Sequence, residues 1–235
     1  MQRPLLNTTI TSIALLASLL FTPVASAHWF GLWCEIDEDG AHVYYSGSFD
    51  PGSPKLLTRA KNAKFWHRNL KGEVSELTLT QKEDEFFAPL EVEETVALEG
   101  LLLRTGTGRR SKVVSLSVSG AKFLKVDSAK NLTTIGPSAK LDFDLYPVKT
   151  EAGYSIKVLF QGKPVADARV TYQDAQYETH RLTTDSNGLA AVKLDGDDLV
   201  TFVAHHKTDK GGEHEGTKFE TTSYATTLVL TFPQE

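Results

Sequence analysis

Apolar and polar residues alternate with a period of two along most of this chain. This period places every second side chain on the same face of a β-strand, whereas an amphipathic helix would repeat every 3.6 residues. In the segment 41–47, Val43 and Tyr45 share one face, and His42 and Tyr44 share the other. Similar runs occur at residues 73–80, 112–120 and 141–146, separated by turn residues such as Asp39-Gly40 and Thr105-Gly106-Thr107-Gly108. The pattern predicts an antiparallel β-sandwich or barrel.

A second series of short strands begins near Tyr154. Its predicted turns are Gln161-Gly162-Lys163-Pro164 and Asp185-Ser186-Asn187-Gly188, which consist largely of residues that favour turns. About seven short strands in roughly 80 residues is the size of an immunoglobulin-like sandwich. We therefore predict an all-β fold of two tandem β-sandwich domains, of which the C-terminal one is immunoglobulin-like.

The predicted domain boundary lies at Pro147–Gly153, where a polar segment interrupts the apolar pattern. The predicted organisation is a signal peptide over residues 1–27, an N-terminal β-rich domain over residues 28–149 and the C-terminal sandwich over residues 150–235. Each predicted domain has enough alternating strands to form a hydrophobic core of its own.

The first 27 residues have the order of a secretory signal peptide. A cation at Arg3 precedes an apolar run from Ile13 to Phe21, and the small residues Ala25-Ser26-Ala27 form a cleavage site. The apolar run has about half of the ~20 residues that a membrane-spanning helix needs. We therefore expect a periplasmic or secreted mature protein without a membrane span, beginning at His28. An N-terminal histidine offers an α-amino group and an imidazole that together chelate a transition-metal ion, the alternative being a chance histidine after the cleavage site.

The composition excludes several classes of function. The net charge of −5 argues against a nucleic-acid-binding protein, which requires a basic face. Cys34 is the only cysteine, so an intrachain disulfide is impossible. We expect it to be a buried, inert thiol, the alternative being a soft metal ligand six residues after His28. The sequence contains no G-x-S-x-G, H-E-x-x-H, P-loop or Rossmann motif. We therefore predict a binding protein rather than an enzyme.

The seven histidines supply the candidate metal ligands. The densest group is His205-His206, followed after a glycine-containing loop by Glu213-His214-Glu215. Neutral imidazole and carboxylate groups suit divalent Ni, Co, Cu or Zn. Because strand neighbours point to opposite faces, His206 is predicted to share a face with Phe202 and Ala204, and His205 to face the other way. A solvated hairpin loop is the alternative interpretation.

A second candidate group lies near the N-terminus. The turn at Asp39-Gly40 would bring His42 towards His28, and two such histidines would form the copper brace used by copper oxygenases and some copper carriers. The acidic run from Glu35 to Asp39 offers oxygen ligands for a hard cation such as Ca²⁺, a solvated turn being the alternative. The predicted metal ligands are His28, His42, His205, His206 and His214.

The C-terminal segments resemble those of a known family. They read "FQGKPVADARVTYQDA" (Phe160–Ala175), "TTDSNGLAAVKL" (Thr183–Leu194), "TFVAHHK" (Thr201–Lys207) and "YATTLVLTF" (Tyr224–Phe232). With His28, they resemble exported bacterial proteins of the DUF4198 type, some of which are named nickel- or cobalt-transport accessory components. The matching positions are His28, Gly162, Pro164, Val165, Ala168, Val170, Thr184, Asp185, Gly188, Ala225 and Thr226.

The resemblance implies a periplasmic substrate-capture or accessory protein that binds nickel or cobalt for uptake. Its expected cofactor is a divalent transition-metal ion (Ni²⁺, Co²⁺ or Cu²⁺), and its expected partner is a membrane transporter permease. One alternative is a metal-free β-sandwich module for protein or carbohydrate contact at the cell surface. That alternative is suggested by the aromatic residues Trp29, Phe30, Trp33, Tyr44 and Tyr45. Another is a copper-dependent oxidase with an N-terminal brace.

Overall fold

The computed structural model describes residues 31–47, 52–91, 95–108, 112–125, 135–151, 153–174, 178–192 and 199–231. The predicted signal peptide and His28 lie outside these ranges. Strands dominate the described residues, which confirms the all-β prediction. None of the helical segments among the described residues has the length and hydropathy that a membrane-spanning helix requires.

The described elements are almost all strands. The first half contains β1 (Gly31–Ile36), β2 (Ala41–Ser46), the helix α1 (Pro54–Leu57) with a 3₁₀ turn (Thr58–Ala60), β3 (Lys64–Asn69), β4 (Val74–Leu77), β5 (Thr80–Gln81), β6 (Phe86–Ala88), β7 (Thr95–Thr107) and β8 (Val114–Leu124). The second half contains β9 (Phe143–Thr150), β10 (Gly153–Phe160), β11 (Lys163–Pro164), β12 (Arg169–Gln173), β13 (Thr179–Thr183), β14 (Leu189–Ala191), β15 (Leu199–Thr208), β16 (Gly212–His214), β17 (Thr217–Phe219) and β18 (Thr221–Thr231).

An eight-stranded sheet with the order β13-β12-β15-β18-β8-β7-β3-β4 forms the centre of the fold. Its central pair, β18 and β8, runs parallel over ten residue pairs, from Thr221 opposite Ser115 to Leu230 opposite Leu124. The other pairs of this sheet are antiparallel. Alternation along each strand predicts which side chains share a face, but it does not specify this parallel partner.

Two smaller sheets cover opposite faces of the central sheet. Along β18, Leu228 and Leu230 pack into one hydrophobic core and Val229 packs into the other, because successive side chains of a strand point to opposite faces. The sheet β1-β2-β6-β5 contributes residues such as Val43 to the core around Val229. Strands β9, β10 and β14 contribute residues such as Val158 to the core around Leu228. The two sandwiches therefore share their central sheet.

Two described strand pairs connect the two sides of the predicted division between residues 149 and 150. Strand β9 pairs with β10 over eight positions, from Thr150 opposite Gly153 to Phe143 opposite Phe160. Strand β18 pairs with β8 of the first half. The domain limits stay a prediction, and the structure adds that the two halves are joined by continuous hydrogen bonding.

A buried ion-pair cluster, formed by Arg68, Glu99, Lys122 and Asp144, ties β9 to the strands of the central sheet. Glu99 and Lys122 face each other across β7 and β8 and are only 2% and 0% exposed. Lys122 Nζ lies 3.0 Å from Asp144 Oδ1, and Glu99 accepts hydrogen bonds from Trp66 Nε1 (2.7 Å) and Arg68 Nη2 (3.1 Å). Burial raises the pKa of Asp144, while the charge of Lys122 opposes that rise. Since buried charges are tolerated only when paired, the cluster ties β3, β7 and β8 to β9.

Candidate metal centre

The candidate site lies at one edge of the central sheet, in the hairpin of β12 and β13. These strands pair antiparallel, with Tyr172 opposite His180 and Gln173 opposite Thr179. Val170 and Tyr172 belong to the hydrophobic core, because alternation turns both towards the same face. Residues directly opposite one another in a strand pair have their side chains on the same face. The hairpin register therefore brings the His180 imidazole beside Tyr172.

Asp174 and Glu178 close this hairpin. The backbone N–H of Asp174 donates to the carbonyl of Glu178 (3.2 Å), and the Glu178 N–H donates to Asp174 Oδ1 (2.8 Å). An aspartate that accepts such a local backbone hydrogen bond is a common turn-forming residue. The Glu178 N–H therefore holds the Asp174 carboxylate at the end of the strand pair.

One imidazole and two carboxylates meet at this turn. His180 Nε2 lies 2.6 Å from Asp174 Oδ2. With Glu178, these residues each offer a ligand atom, and the three atoms lie within 4.8 Å of one another. The His180 side chain is 37% exposed and that of Asp174 is 19% exposed, so an ion can approach from solvent. Imidazole nitrogen with carboxylate oxygen is a donor set for Ni²⁺, Co²⁺, Zn²⁺ or Cu²⁺.

A metal ion bound here would replace the hydrogen bond between His180 Nε2 and Asp174 Oδ2. Metal–nitrogen and metal–oxygen bonds of about 2.0–2.2 Å place two adjacent ligand atoms about 3 Å apart. The present separation of 2.6 Å between Nε2 and Oδ2 would have to widen by only a few tenths of an ångström. Binding also requires the neutral imidazole, so protons compete with the ion.

The structure places the predicted C-terminal histidines apart from this hairpin. His206 shares the core face with Phe202 and Ala204, as the alternation predicts, and its ring lies 4.5 Å from that of Phe160. Burial lowers the pKa of His206. His205 is exposed, and His214 lies in the separate two-stranded hairpin of β16 and β17.

Within the described ranges, none of His42, His205, His206 and His214 belongs to a three-donor group like that of His180. His28 lies outside those ranges. The assignment of these five histidines as metal ligands therefore stays a prediction.

His42 is held between two carboxylates on the face of β2 opposite to Val43. Its Nδ1 lies 2.6 Å from Glu85 Oε2, and its Nε2 lies 3.0 Å from Asp37 Oδ1. Burial by itself lowers the pKa of His42, but the hydrogen bonds and charges of Glu85 and Asp37 outweigh it and raise the pKa above its ordinary value. Asp37 also accepts backbone hydrogen bonds from Asp39 and Gly40 in the turn. A metal ion at His42 would have to replace one of its two hydrogen bonds to Glu85 and Asp37.

Replacing His42 with Gln is expected to destabilise the protein more at pH 6 than at pH 9. The pKa of His42 is raised in the folded protein, so its ion pairs stabilise the fold fully below the unfolded pKa of about 6.5. This stabilisation is lost as the pH rises through the folded-state pKa of His42. Hydrogen bonds to charged groups predict a difference of about 1 kcal/mol or more between the two pH values. Urea denaturation of both proteins measures it.

His67 provides the control, since burial lowers its pKa and the charge of Glu91 only partly opposes that shift. A histidine whose pKa is lowered in the folded protein makes that protein less stable as the pH falls. The destabilisation caused by His67→Gln should therefore be smaller at pH 6 than at pH 9, the opposite of the result expected for His42→Gln. Equal effects of His42→Gln at both pH values would show that the ion pairs of His42 do not stabilise the fold.

Two groups near the N-terminus lie in the protein interior. The rings of Trp33, Tyr44 and Tyr45 are buried, and those of Trp33 and Tyr44 stack with their centroids 4.1 Å apart. They therefore present little surface on which a sugar could stack. Cys34 is buried as well, and its pKa is raised by burial and, to a lesser extent, by the charges of Glu35 and Glu99. Its thiol is consequently protonated near neutral pH, as expected of an inert cysteine.

Sequence reasoning did not single out the Asp174–Glu178–His180 group. His180 was one of the seven histidines, but its strand, Thr179–Thr183, has Leu182 as its single aliphatic residue and shows no apolar alternation. The available signal was the alternation of Val170 and Tyr172. A strand that ends there, followed by a short turn, implies a returning strand and brings Asp174 close to His180.

No family model matches this chain, and no curated protein sequence matches it.

Proposed function

We propose that this protein is an exported substrate-capture or accessory protein that binds Ni²⁺ or Co²⁺ for uptake. The observation that carries the proposal is the convergence of one imidazole and two carboxylates at the β12–β13 hairpin. The order of the first 27 residues supports export. The resemblance to DUF4198-type proteins supports a role in uptake, with a membrane transporter permease as the partner.

The chemistry of the hairpin suits a site that captures and releases an ion. Structural zinc sites are closed by four protein ligands, whereas the hairpin offers three donors and has an open side. The remaining coordination positions are available to water or to the ligands of a receiving protein. Two carboxylates also balance the charge of a divalent ion.

The histidines predicted from the sequence are proposed as a second set of ligands. The α-amino group of His28 is removed from chelation when one residue is added before it. His205, His206 and His214 are removed together by a triple replacement with Ala. These two variants separate an N-terminal or C-terminal histidine site from the hairpin site.

Isothermal titration of the mature protein, beginning at His28, with Ni²⁺ and Co²⁺ tests the proposal. We expect binding near neutral pH that weakens in acid, since a ligand imidazole must be deprotonated. His180→Ala should weaken this binding by more than about tenfold, the lower limit for residues that merely support ligands. His67→Ala, which changes a half-buried histidine outside the hairpin, should leave the affinity unchanged.

Equally weak binding by the wild type and all variants would contradict the proposal and favour the metal-free contact module. Loss of binding only with the N-terminal extension or the triple variant would move the site away from the hairpin. The tightest binding by Cu²⁺ would not identify the natural cargo, because Cu²⁺ binds most tightly to nearly any site with nitrogen and oxygen donors.

A further inference from the structure

We propose that Tyr172 is a positioning residue of this metal site, whose ring holds the His180 imidazole in the orientation that binds the ion. The proposal rests on the proposed function of the hairpin. It makes no claim that Tyr172 itself coordinates metal.

The geometry of the two rings is that of a stacked pair. Their centroids lie 4.6 Å apart and their planes are inclined by 17°. This contact follows from the strand register, which places Tyr172 directly opposite His180. The stack therefore covers one face of an imidazole that is otherwise partly open to solvent.

Tyr172 is itself held firmly in the core. Its side chain is 5% exposed, and its ring lies 5.3 Å from the ring of the fully buried Phe202. Side chains packed in a core occupy single rotamers, so the Tyr172 ring offers a fixed surface. A row of contacting rings thus extends from the hydrophobic core to the edge of the hairpin, formed by Phe202, Tyr172 and His180.

The fixed ring determines where His180 Nε2 points. With the imidazole lying flat on Tyr172, Nε2 is directed at Asp174 Oδ2, 2.6 Å away. Residues that orient a ligating histidine typically change metal affinity by about 10–100-fold when they are removed. An imidazole bound to a divalent ion also becomes more positive, and the face of an aromatic ring attracts positive charge.

Tyr172 acts in this arrangement through its ring. A phenylalanine at this position keeps the stacking surface, whereas a leucine removes it.

Titration with Ni²⁺ and Co²⁺ of the mature wild-type protein and its variants tests this role. We expect Tyr172→Leu to weaken binding by about tenfold or more and Tyr172→Phe to stay within about threefold of the wild type. The matched control is Tyr45→Leu, the same replacement of a buried tyrosine in the other core. It should lower the melting temperature and leave metal affinity unchanged.

A wild type that binds neither ion would overturn the proposed function before any variant is compared. Binding by a folded Tyr172→Leu variant at wild-type affinity would overturn only the role of Tyr172. If Tyr172→Leu does not fold, the wild type loaded with diamagnetic Zn²⁺ decides the question. Nuclear Overhauser contacts between the Tyr172 and His180 rings should persist in the loaded protein, and their loss would refute the proposal.

Discussion

Replacing Lys122 with Met is expected to lower the free energy of unfolding by about 3–5 kcal/mol, the range for removing one partner of a buried ion pair. Lys122 is completely buried, and its Nζ lies 3.0 and 3.2 Å from the two carboxylate oxygens of Asp144. It also lies 3.7 Å from Glu99 Oε1. Met fills a similar volume without the charge, so Asp144 remains buried without its cation. Urea denaturation at pH 7 measures the loss.

The double variant Lys122→Met/Asp144→Asn is the control for this prediction. Removing both charges leaves no unpaired ion, so the double variant should be more stable than Lys122→Met alone. The destabilisation of Lys122→Met relative to the wild type should also be smaller in acid than at pH 7, because a buried Asp144 without Lys122 is readily protonated. A loss below about 0.5 kcal/mol, typical of surface positions, would show that the cluster does not hold β9 against the central sheet.

Gly100→Ala is the second replacement expected to have a large effect. Gly100 lies opposite Phe65 in the pairing of β7 with β3, and a Cβ at this position would lie 2.3 Å from two carbons of the Phe65 ring. Phe65 is fully buried, and because buried side chains are closely packed, its ring can move only if its neighbours also move. We expect the variant to lose about 1–3 kcal/mol of stability, the usual cost of overpacking a core, as measured by thermal and urea denaturation.

Gly106 in the same strand is the matched control, because nothing lies within 4 Å of a Cβ added there. Replacing it with Ala reduces the freedom of the unfolded chain and should be neutral or stabilising by up to about 1 kcal/mol. Equal losses at Gly100 and Gly106 would indicate a general requirement for glycine in β7 rather than close contact with Phe65.

The alternation of apolar residues predicted the faces of strands well, because burial of one face is a local property. It placed Val43 and Tyr45 in a core, and it separated His206 from His205. Turn residues were a weaker guide. Thr105–Gly108 has the composition of a turn, yet β7 continues to Thr107 because β8 pairs with it to the end. Which strands pair with one another, as β18 pairs in parallel with β8, depends on the whole fold.

The candidate site was harder to predict from the sequence than the strands. Asp174 and His180 come together only through the register of β12 and β13, and β13 is an edge strand with polar, largely solvent-facing positions. Such a strand needs no apolar alternation, so periodicity does not reveal it. The buried ion-pair cluster was hidden for a related reason, since Glu99, Lys122 and Asp144 are charged residues whose burial depends on pairing between distant segments.

Anomalous diffraction from crystals of the mature protein grown with Co²⁺, recorded at the cobalt absorption edge, tests the central claim most directly. The hairpin site predicts one strong peak per chain, about 2.0–2.2 Å from His180 Nε2 and from one carboxylate oxygen each of Asp174 and Glu178. A peak at His28 or among His205, His206 and His214, with none at the hairpin, would contradict the claim.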